Sequence, residues 1–387
     1  MQTYYVSRAA AAVAAVVLMA AGWFSIRLAR ADAAFRTHDP ASVARAIELA
    51  HGNAEYLQFE ALQRDYNGGD PSPLLQRAAA LDPLASEPRI RLGLNAEIRG
   101  NFTDAEKWLL DAASIDRQFE PRWTLANFYF RRGNQAEFWR WIRRALEVSH
   151  GDRIPAFDLC WRMDPDAREI FSRAIPDLHD PVAAYLEYLL ETHRGEQAGP
   201  VALKLAAYRS DVDRLAILQT CDRLIEARNP TEAAAVWQAM GYSPGGAIFN
   251  GNFAQKSSGH GFDWRLPAPP GVSYIWIDSP RTALRIALNG QQPEACDLAS
   301  EVVRLEPGKR YLLRWRSQAS DLESPTGIEW RIVDRRAEVS SGDQQGEFGF
   351  TADSELETVA LHYQRPIGEA RAKGSIQMAD ISIAEIP

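Results

Sequence analysis

Arginine side chains alternate with apolar residues along short segments in the C-terminal third of the chain, as at Arg314, Arg316 and Arg331. Successive side chains of a β-strand point to opposite faces, so these arginines would share the polar face of a sheet. Guanidinium groups donate paired hydrogen bonds to carboxylate or sulfate groups, so such a face is suited to acidic ligands. The predicted face comprises Arg285, Arg314, Arg316, Glu329, Arg331, His362 and Gln364.

The apolar residues of the same segments predict the core of an antiparallel β-sandwich. The predicted strands are 282–288, 310–317, 327–334, 357–365 and 375–385. The predicted inward-facing residues are Leu284, Ile286, Leu288, Tyr311, Leu313, Trp315, Ile328, Trp330, Ile332, Val359, Leu361 and Tyr363.

The sequence contains no glycine-rich phosphate loop, no HExxH or Cys/His cluster and no GxSxG motif, so we expect no catalytic residues, no metal and no cofactor. His260 lies in a loop-like stretch, 257–261, which favours a loop residue over a residue that does chemistry. A carboxylate pair such as Asp263 with Glu329 keeps a glycan-active enzyme as a weaker alternative.

Composition is that of an ordinary folded protein. The 387 residues are 46% hydrophobic and 24% charged, with a formal charge of -8, which predicts two or three domains and no nucleic-acid partner. The arginines and aromatic residues of 138–144 fall on separate faces of an amphipathic helix.

The three cysteines are predicted to be buried thiols, with a Cys160–Cys221 disulfide as the alternative in an oxidising compartment.

Small residues recur at a period near 34 in the first half of the chain, at Ala46, Ala78, Ala112 and Ala145. With Gly-Asn turns between helical segments, this period resembles the tetratricopeptide repeat, which implies pairs of helices stacked into a solenoid over 39–150. Beyond it, 151–241 predicts further helices without a clear period, interpreted as degenerate solenoid.

The tetratricopeptide resemblance implies a concave groove that binds a protein partner. The groove positions would come from the first helix of each of the two best repeats. Asn127 falls where peptide-clamping members of the family often carry an asparagine, but the lysine and arginine residues of such a clamp are not present at the matching positions. The implied groove residues are Ile90, Leu94, Glu97, Trp123, Asn127 and Phe130.

Five sequence pieces in 245–387 are similar to the galactose-binding-like jelly rolls of carbohydrate-binding module families 4 and 9. These pieces are Asn250–Phe253, Gly261–Trp264, Ala283–Ile286, Leu305–Tyr311 and Met378–Ile383. The resemblance implies a jelly roll that binds a glycan.

The resemblance also suggests a structural calcium site at Asp380. Asn252 and Ala254 stand where acidic ligands are common, so we expect no calcium.

Applied to the arginine face, the resemblance implies that an acidic polysaccharide binds there, with aromatic platforms from Trp264, Tyr274 or Trp276 in neighbouring loops. The alternative is that the face is solvated and balanced by its own acidic residues, such as Glu329.

The N-terminus contains an apolar stretch from Ala9 to Ile26, flanked by Arg8 and Arg27, which predicts a transmembrane signal anchor over 1–30. The alternative is a cleaved signal peptide, with small residues near Ala31 as the cleavage site. By the flanking charges alone, the bulk of the chain could stay in the cytoplasm.

The combined prediction is a multidomain protein with a transmembrane helix, an α-solenoid and a C-terminal β-sandwich. Its expected role is that of a non-enzymatic scaffold in the inner membrane, with its bulk in the periplasm, that joins a protein partner to a glycan in exopolysaccharide or envelope assembly. The alternative is an assembly factor that docks only proteins.

Overall fold

The computed structural model describes residues 2–242, 246–279, 281–322 and 325–387. Gly245, the predicted first residue of the β-domain, lies outside these ranges. The described chain has an N-terminal helix, a helical region and a C-terminal antiparallel β-sandwich, which confirms the predicted fold class. It divides into two compact units, Met1–Pro165 with Ser172–Pro176, and Asp166–Phe171 with Asp177–Pro387.

The helices are α1 (Gln2–Phe35), α2 (Pro40–Leu49), α3 (Ala54–Tyr66), α4 (Ser72–Leu81), α5 (Glu87–Ile98), α6 (Phe102–Ile115), α7 (Phe119–Arg131), α8 (Gln135–Val148), α9 (Ile154–Met163), α10 (Ala167–Arg173), α11 (His179–Glu191), α12 (Gly199–Ala206), α13 (Arg214–Glu226) and α14 (Pro230–Ala239). The strands are β1 (Val272–Ile277), β2 (Ala283–Asn289), β3 (Ala295–Arg304), β4 (Arg310–Ser320), β5 (Ile328–Ile332), β6 (Arg335–Glu338), β7 (Asp343–Thr351), β8 (Leu356–Gln364) and β9 (Lys373–Ile386).

In the first unit, two turns follow the same local rule. Gly100 and Gly133 adopt positive φ values of 78° and 67°, a conformation that favours glycine. The following residues, Asn101 and Asn134, then cap α6 and α8 by accepting hydrogen bonds from backbone N–H groups in the first turn. Each Gly-Asn pair therefore ends one helix and starts the next.

The small residues of the predicted repeat lie where helices approach each other. Ala46, Ala78, Ala112 and Ala145 have no exposed surface. Gly93 in α5 faces Leu109 in α6 so closely that a Cβ atom on residue 93 would lie 2.6 Å from the leucine Cγ. These contacts explain the spacing of small residues as helix-packing sites.

Helix α1 is continuous from its apolar segment into the first helical core. Ala31 has no exposed surface, and Phe35 stacks on Tyr56 of α3 with 4.4 Å between the ring centroids. Within the described residues, 10–35 is the one helical segment long and apolar enough to cross a membrane or to serve as a signal sequence.

The β-sandwich consists of a five-stranded sheet, β1-β2-β9-β4-β7, and a four-stranded sheet, β3-β8-β5-β6. The predicted inward-facing residues are confirmed as buried, and the side chains of Trp264 and Trp330 lie among them without exposed surface. Tight packing also extends to Gly346, whose Cβ position would overlap the ring of Trp315.

In the second unit, the carboxylate of Asp222 in α13 holds the loop that leads into the sandwich. It pairs with His260 Nδ1 at 2.6 Å and accepts hydrogen bonds from Gly261 N at 2.7 Å and Arg265 Nη2 at 2.9 Å. Gly261 packs against the ring of Trp237 in α14, where a Cβ atom would lie 2.6 Å from the ring. His260 therefore has a structural partner.

A second carboxylate, Glu301 of β3, is completely buried beside this loop. One of its oxygens accepts a hydrogen bond from Phe249 N at 2.6 Å, and the other has no protein partner. Burial raises the pKa of Glu301 well above its usual value; nearby Asp263 adds to the rise and Arg265 opposes it. Relative to the unfolded chain, folding therefore favours the protonated form of Glu301.

We predict that Gly93→Ala destabilises the helical unit. The added methyl group would press on Leu109, and overpacking of this kind costs about 1–3 kcal/mol, partly offset by the better helix propensity of alanine. Gly52→Ala is the control, because no atom lies within 4 Å of its Cβ position. Urea unfolding of the full chain in detergent, followed by circular dichroism, should show a lower midpoint for Gly93→Ala alone; equal midpoints would contradict the close contact.

We also predict that Glu301→Gln removes a pH dependence of stability. The pKa of Glu301 is higher in the folded state than in the unfolded state. Its contribution to the free energy of unfolding is therefore fully present below its pKa in the unfolded state, and is lost as the pH rises through its pKa in the folded state. The wild type should therefore lose more stability than Glu301→Gln between pH 5 and pH 8. Parallel changes in the urea midpoints of both proteins would show that Glu301 does not titrate in this way.

Candidate ligand-binding groove on the five-stranded sheet

The predicted arginine face is divided between the two sheets of the sandwich. Arg285, Arg314 and Arg316 lie on β2 and β4 of the five-stranded sheet, whereas Arg331 and His362 lie on β5 and β8 of the four-stranded sheet. All occupy positions that face away from the core, so the two groups lie on opposite outer surfaces. The prediction of one continuous face is therefore wrong, since alternation gives the side of a strand but not the sheet to which it belongs.

On the four-stranded sheet, the predicted ligand-binding residues are engaged by their neighbours. Arg331 Nε pairs with Glu329 Oε1 at 2.5 Å, and Glu329 also contacts Arg336 at 3.5 Å. His362 is buried, and its Nδ1 lies 2.7 Å from Asp297 Oδ1. Gln364 at the end of β8 is exposed and donates to the carbonyl of residue 294. This surface fits the alternative of a charge-balanced sheet face.

The five-stranded sheet instead forms a groove of about 430 Å³ on its outer surface. Its floor contains two alanines of neighbouring strands, Ala283 and Ala379, with Ile277 on one side and Arg316 on the other. Small residues between larger ones produce the depression. The lining residues are Ile277, Arg281, Ala283, Arg316, Ser317, Gln318, Gln344, Gln345, Gln377 and Ala379.

A polar row crosses the sheet beside this floor. Arg285 is in register with Gln377, which is in register with Gln318. The Nε atoms of Arg285 and Arg316 are shielded from solvent and donate no hydrogen bond to a protein acceptor.

Asp380 sets the charge at one end of the groove. Its carboxylate lies 3.2 Å from Arg281 Nη1 and 3.6 Å from Arg316 Nε. Two guanidinium groups on one carboxylate leave a positive excess, and they make the position unsuitable for Ca²⁺, which requires several oxygen ligands. The residues at the predicted calcium position therefore do not fit the ion.

Arg314 lies further along β4 and outside the groove lining. Its Nε contacts Glu347 Oε2 of β7 at 3.0 Å, and both side chains are more than half exposed. Such solvent-exposed pairs contribute little to stability, about 0–1 kcal/mol, and exchange partners readily. Arg314 therefore remains accessible to a ligand that extends along the sheet.

The three predicted aromatic platforms are part of the sandwich packing. Trp264 has no exposed surface, so it cannot stack on a sugar ring. Tyr274 and Trp276 lie in β1 rather than in loops, at inward-facing positions packed against the core. Burial raises the pKa of Tyr274 to about 12, and its hydroxyl donates to Leu298 O at 2.7 Å. The prediction of a loop-borne aromatic platform is wrong for all three residues.

In the helical region, the predicted groove residues have mixed environments. Leu94 lines a depression of about 340 Å³ between α3 and α5, together with the exposed side chains of Leu62 and Ile98. Ile90 is only 3% exposed and belongs to the core, which corrects its predicted role. Glu97 forms a two-pronged ion pair with Arg131 at 2.6–2.7 Å.

The second predicted helix of that groove, α7, carries partly buried aromatic residues. Trp123 stacks on Phe119 with ring centroids 5.8 Å apart. Asn127 Nδ2 donates to Trp123 O at 2.9 Å, so its amide is already engaged within the helix. The guanidinium of Arg162 lies 5.0 Å from the ring centroid of Phe130.

The three cysteines are free. Cys160 and Cys221 are buried, and burial raises the pKa of each, to about 12 for Cys221. Since the thiolate is the nucleophilic form, these thiols are chemically inert near neutral pH.

No protein-family model matches the chain, and no curated protein does. A solved structure described as "CBM4 structure and function" is 14% identical, covers 36% of this chain and 99% of its own, and has a TM-score of 0.28. "BiXyn10A CBM1 APO" is 15% identical over 30% of this chain and 80% of its own, with a TM-score of 0.22.

A third structure, the secreted serine protease VesC from Vibrio cholerae, is 13% identical over 26% of this chain and 21% of its own, with a TM-score of 0.19. Scores this low do not support an argument about function, which must come from the groove itself.

Proposed function

We propose that this chain is a non-enzymatic, membrane-anchored adaptor whose β-sandwich binds an acidic glycan in the groove of the five-stranded sheet. The observation that carries the proposal is the combination of Arg316, Arg281 and a row of glutamine side chains around an alanine floor. The groove volume of about 430 Å³ falls in the range of small-ligand sites.

The chemistry of the lining favours a saccharide with acidic groups. Amide side chains such as Gln318 and Gln377 both donate and accept hydrogen bonds, so they match the hydroxyl groups of a sugar. The guanidinium of Arg316 supplies charged donors for carboxylate or sulfate groups. Among the described residues at the groove, the carboxylate of Asp380 is already paired with Arg281 and Arg316. A glycosidase mechanism requires two carboxylates that flank the scissile bond, so this arrangement argues against it at this place.

The helical region supplies the second half of the proposed adaptor. The depression between α3 and α5 exposes Leu62 and Ile98 to solvent, the latter by 87%. Exposed apolar side chains of this kind favour a protein partner. A chain that binds a polymer and a protein at a membrane suits exopolysaccharide or envelope assembly on the periplasmic side of a bacterial inner membrane.

A purely protein-docking role is the second candidate. It is favoured by the absence of an exposed aromatic side chain in the described part of the sandwich, where Ile275 and Ile367 are the large exposed apolar residues. Sugar-binding sites commonly use an aromatic ring as a stacking surface, whereas an acidic protein surface requires only the guanidinium groups.

We predict that Arg316→Ala weakens binding to an acidic polysaccharide by about tenfold, since a charged hydrogen bond contributes about 1.5–3 kcal/mol. Arg331→Ala is the matched control, because it removes the same side chain from the opposite sheet. Affinity electrophoresis of the full chain in detergent, through gels that contain polygalacturonate or neutral dextran, measures this difference. Wild-type retardation should occur only with polygalacturonate and decrease with salt.

Two results would contradict the binding of an acidic glycan in the groove. Equal losses for Arg316→Ala and Arg331→Ala would show that binding is not localised in the groove. A folded wild type that polygalacturonate does not retard would contradict acidic-glycan binding and favour the protein-docking candidate.

We predict that the N-terminal helix is retained as an anchor. Ala31 and Phe35 are buried in the first helical core, so cleavage near residue 31 would interrupt a helix that this core uses. The intact mass of the protein purified from membranes should correspond to the full 43.2 kDa chain, and alkaline extraction should leave it in the membrane pellet. A product shortened by about 30 residues in the soluble fraction would identify a cleaved signal peptide.

A further inference from the structure

A second positively charged cavity lies in the helical unit, far along the sequence from the sandwich. It has a volume of about 580 Å³ and is formed by α6, α7 and α8. Four arginines line it, Arg117, Arg122, Arg140 and Arg144, together with a single carboxylate, Glu147. In a chain with a formal charge of -8, this cluster is a local positive field of the kind that concentrates anions.

The position of Arg122 is fixed by the protein. Its side chain is 15% exposed, its Nη1 donates to Arg144 O at 2.7 Å, and the same atom lies 3.8 Å from Glu147 Oε2. Ordering a guanidinium before a ligand arrives reduces the entropy lost on binding. Arg122 therefore forms a rigid side of the cavity.

The other side of the cavity is organised by Trp141. The guanidinium carbons of Arg140 and Arg144 lie 5.3 and 4.9 Å from its ring centroid, within the range of cation–π attraction. The ring is itself oriented by a hydrogen bond from Trp141 Nε1 to Glu137 Oε2 at 3.1 Å. Two arginines are thus placed at the rim by one buried indole.

The arginines outnumber their acidic partners. Arg140 pairs with Glu137 at 2.9 Å, and Glu147 is the one carboxylate in the described lining. No carboxylate partner occurs among the described residues for the exposed side chains of Arg117 and Arg144. The cavity therefore has positive charge that the protein does not neutralise.

We propose that this cavity binds a diphosphate group. A concave site with several guanidinium forks suits a compact anion with more than one negative charge, because each phosphate group accepts paired hydrogen bonds. An extended acidic peptide spreads its charges over a longer surface than one cavity covers. The site is independent of the proposed glycan groove and uses different residues.

Isothermal titration calorimetry of the full chain in detergent at low salt tests the proposal with inorganic pyrophosphate as the probe. We expect saturable binding to the wild type and about tenfold weaker binding to Arg144→Gln, with a further loss in Arg117→Gln/Arg144→Gln. Arg45→Gln in α2 is the control, since this exposed arginine lies outside the cavity. Circular dichroism melting curves check that each variant is folded.

ADP and geranyl diphosphate serve as further probes that distinguish a nucleotide source from a prenyl source of the diphosphate; tighter binding of either, with the same dependence on Arg144, supports the site. Pyrophosphate binding that is absent, or equally strong in the folded double variant, overturns the proposal. Tighter binding of a hexaglutamate peptide than of pyrophosphate also overturns it and indicates an acidic protein partner.

Discussion

The arrangement of the second unit depends on the hydrogen bonds and ion pairs made by the carboxylate of Asp222. A helix residue accepts or shares hydrogen bonds with three groups of one loop, and that loop carries Trp264 into the sandwich core. Arg265, held by the same carboxylate, also forms a bridge to Ser300 of β3. The helices α13 and α14 therefore support the edge of the β-sandwich directly, instead of being joined to it only through the chain.

Local sequence rules predicted a large part of the fold. The Gly-Asn turns and the periodic alanines identified the helix pairs because positive φ, helix capping and close packing each require particular residue types. Alternation identified the inward side of β2, β4, β5 and β8, because successive side chains of a strand point to opposite faces of the sheet. These features depend on neighbours in sequence, so they can be read without knowledge of the tertiary structure.

Other elements were missed because their residues satisfy long-range contacts. Strand β3 shifts register between Asp297 and Ala299 and buries Glu301, so its polar pattern does not alternate. Strand β7 contains Gly346, which makes room for the ring of Trp315 and lowers the strand propensity. The candidate site was predicted in part: Arg285 and Arg316 lie at or beside the groove, whereas the glutamines were missed because their strands meet only in the folded sheet.

The two positive sites differ in what neutralises them. In the groove, Asp380 balances part of the charge of Arg281 and Arg316, and amides supply most of the remaining polar groups. Such a lining suits a ligand that carries many hydroxyl groups beside its acidic groups. In the helical cavity, arginines dominate, which suits a small and highly charged ligand. The residues around an arginine thus determine which kind of anionic ligand it suits.

The most direct test of the account is a crystal structure of the full chain in complex with an acidic oligosaccharide such as tetragalacturonate. We expect the sugar to lie over Ala283 and Ala379, with a carboxylate on Arg316 and hydroxyl groups on Gln318 and Gln377. Ordered sugar on the four-stranded sheet around Arg331, with the groove empty, would contradict it.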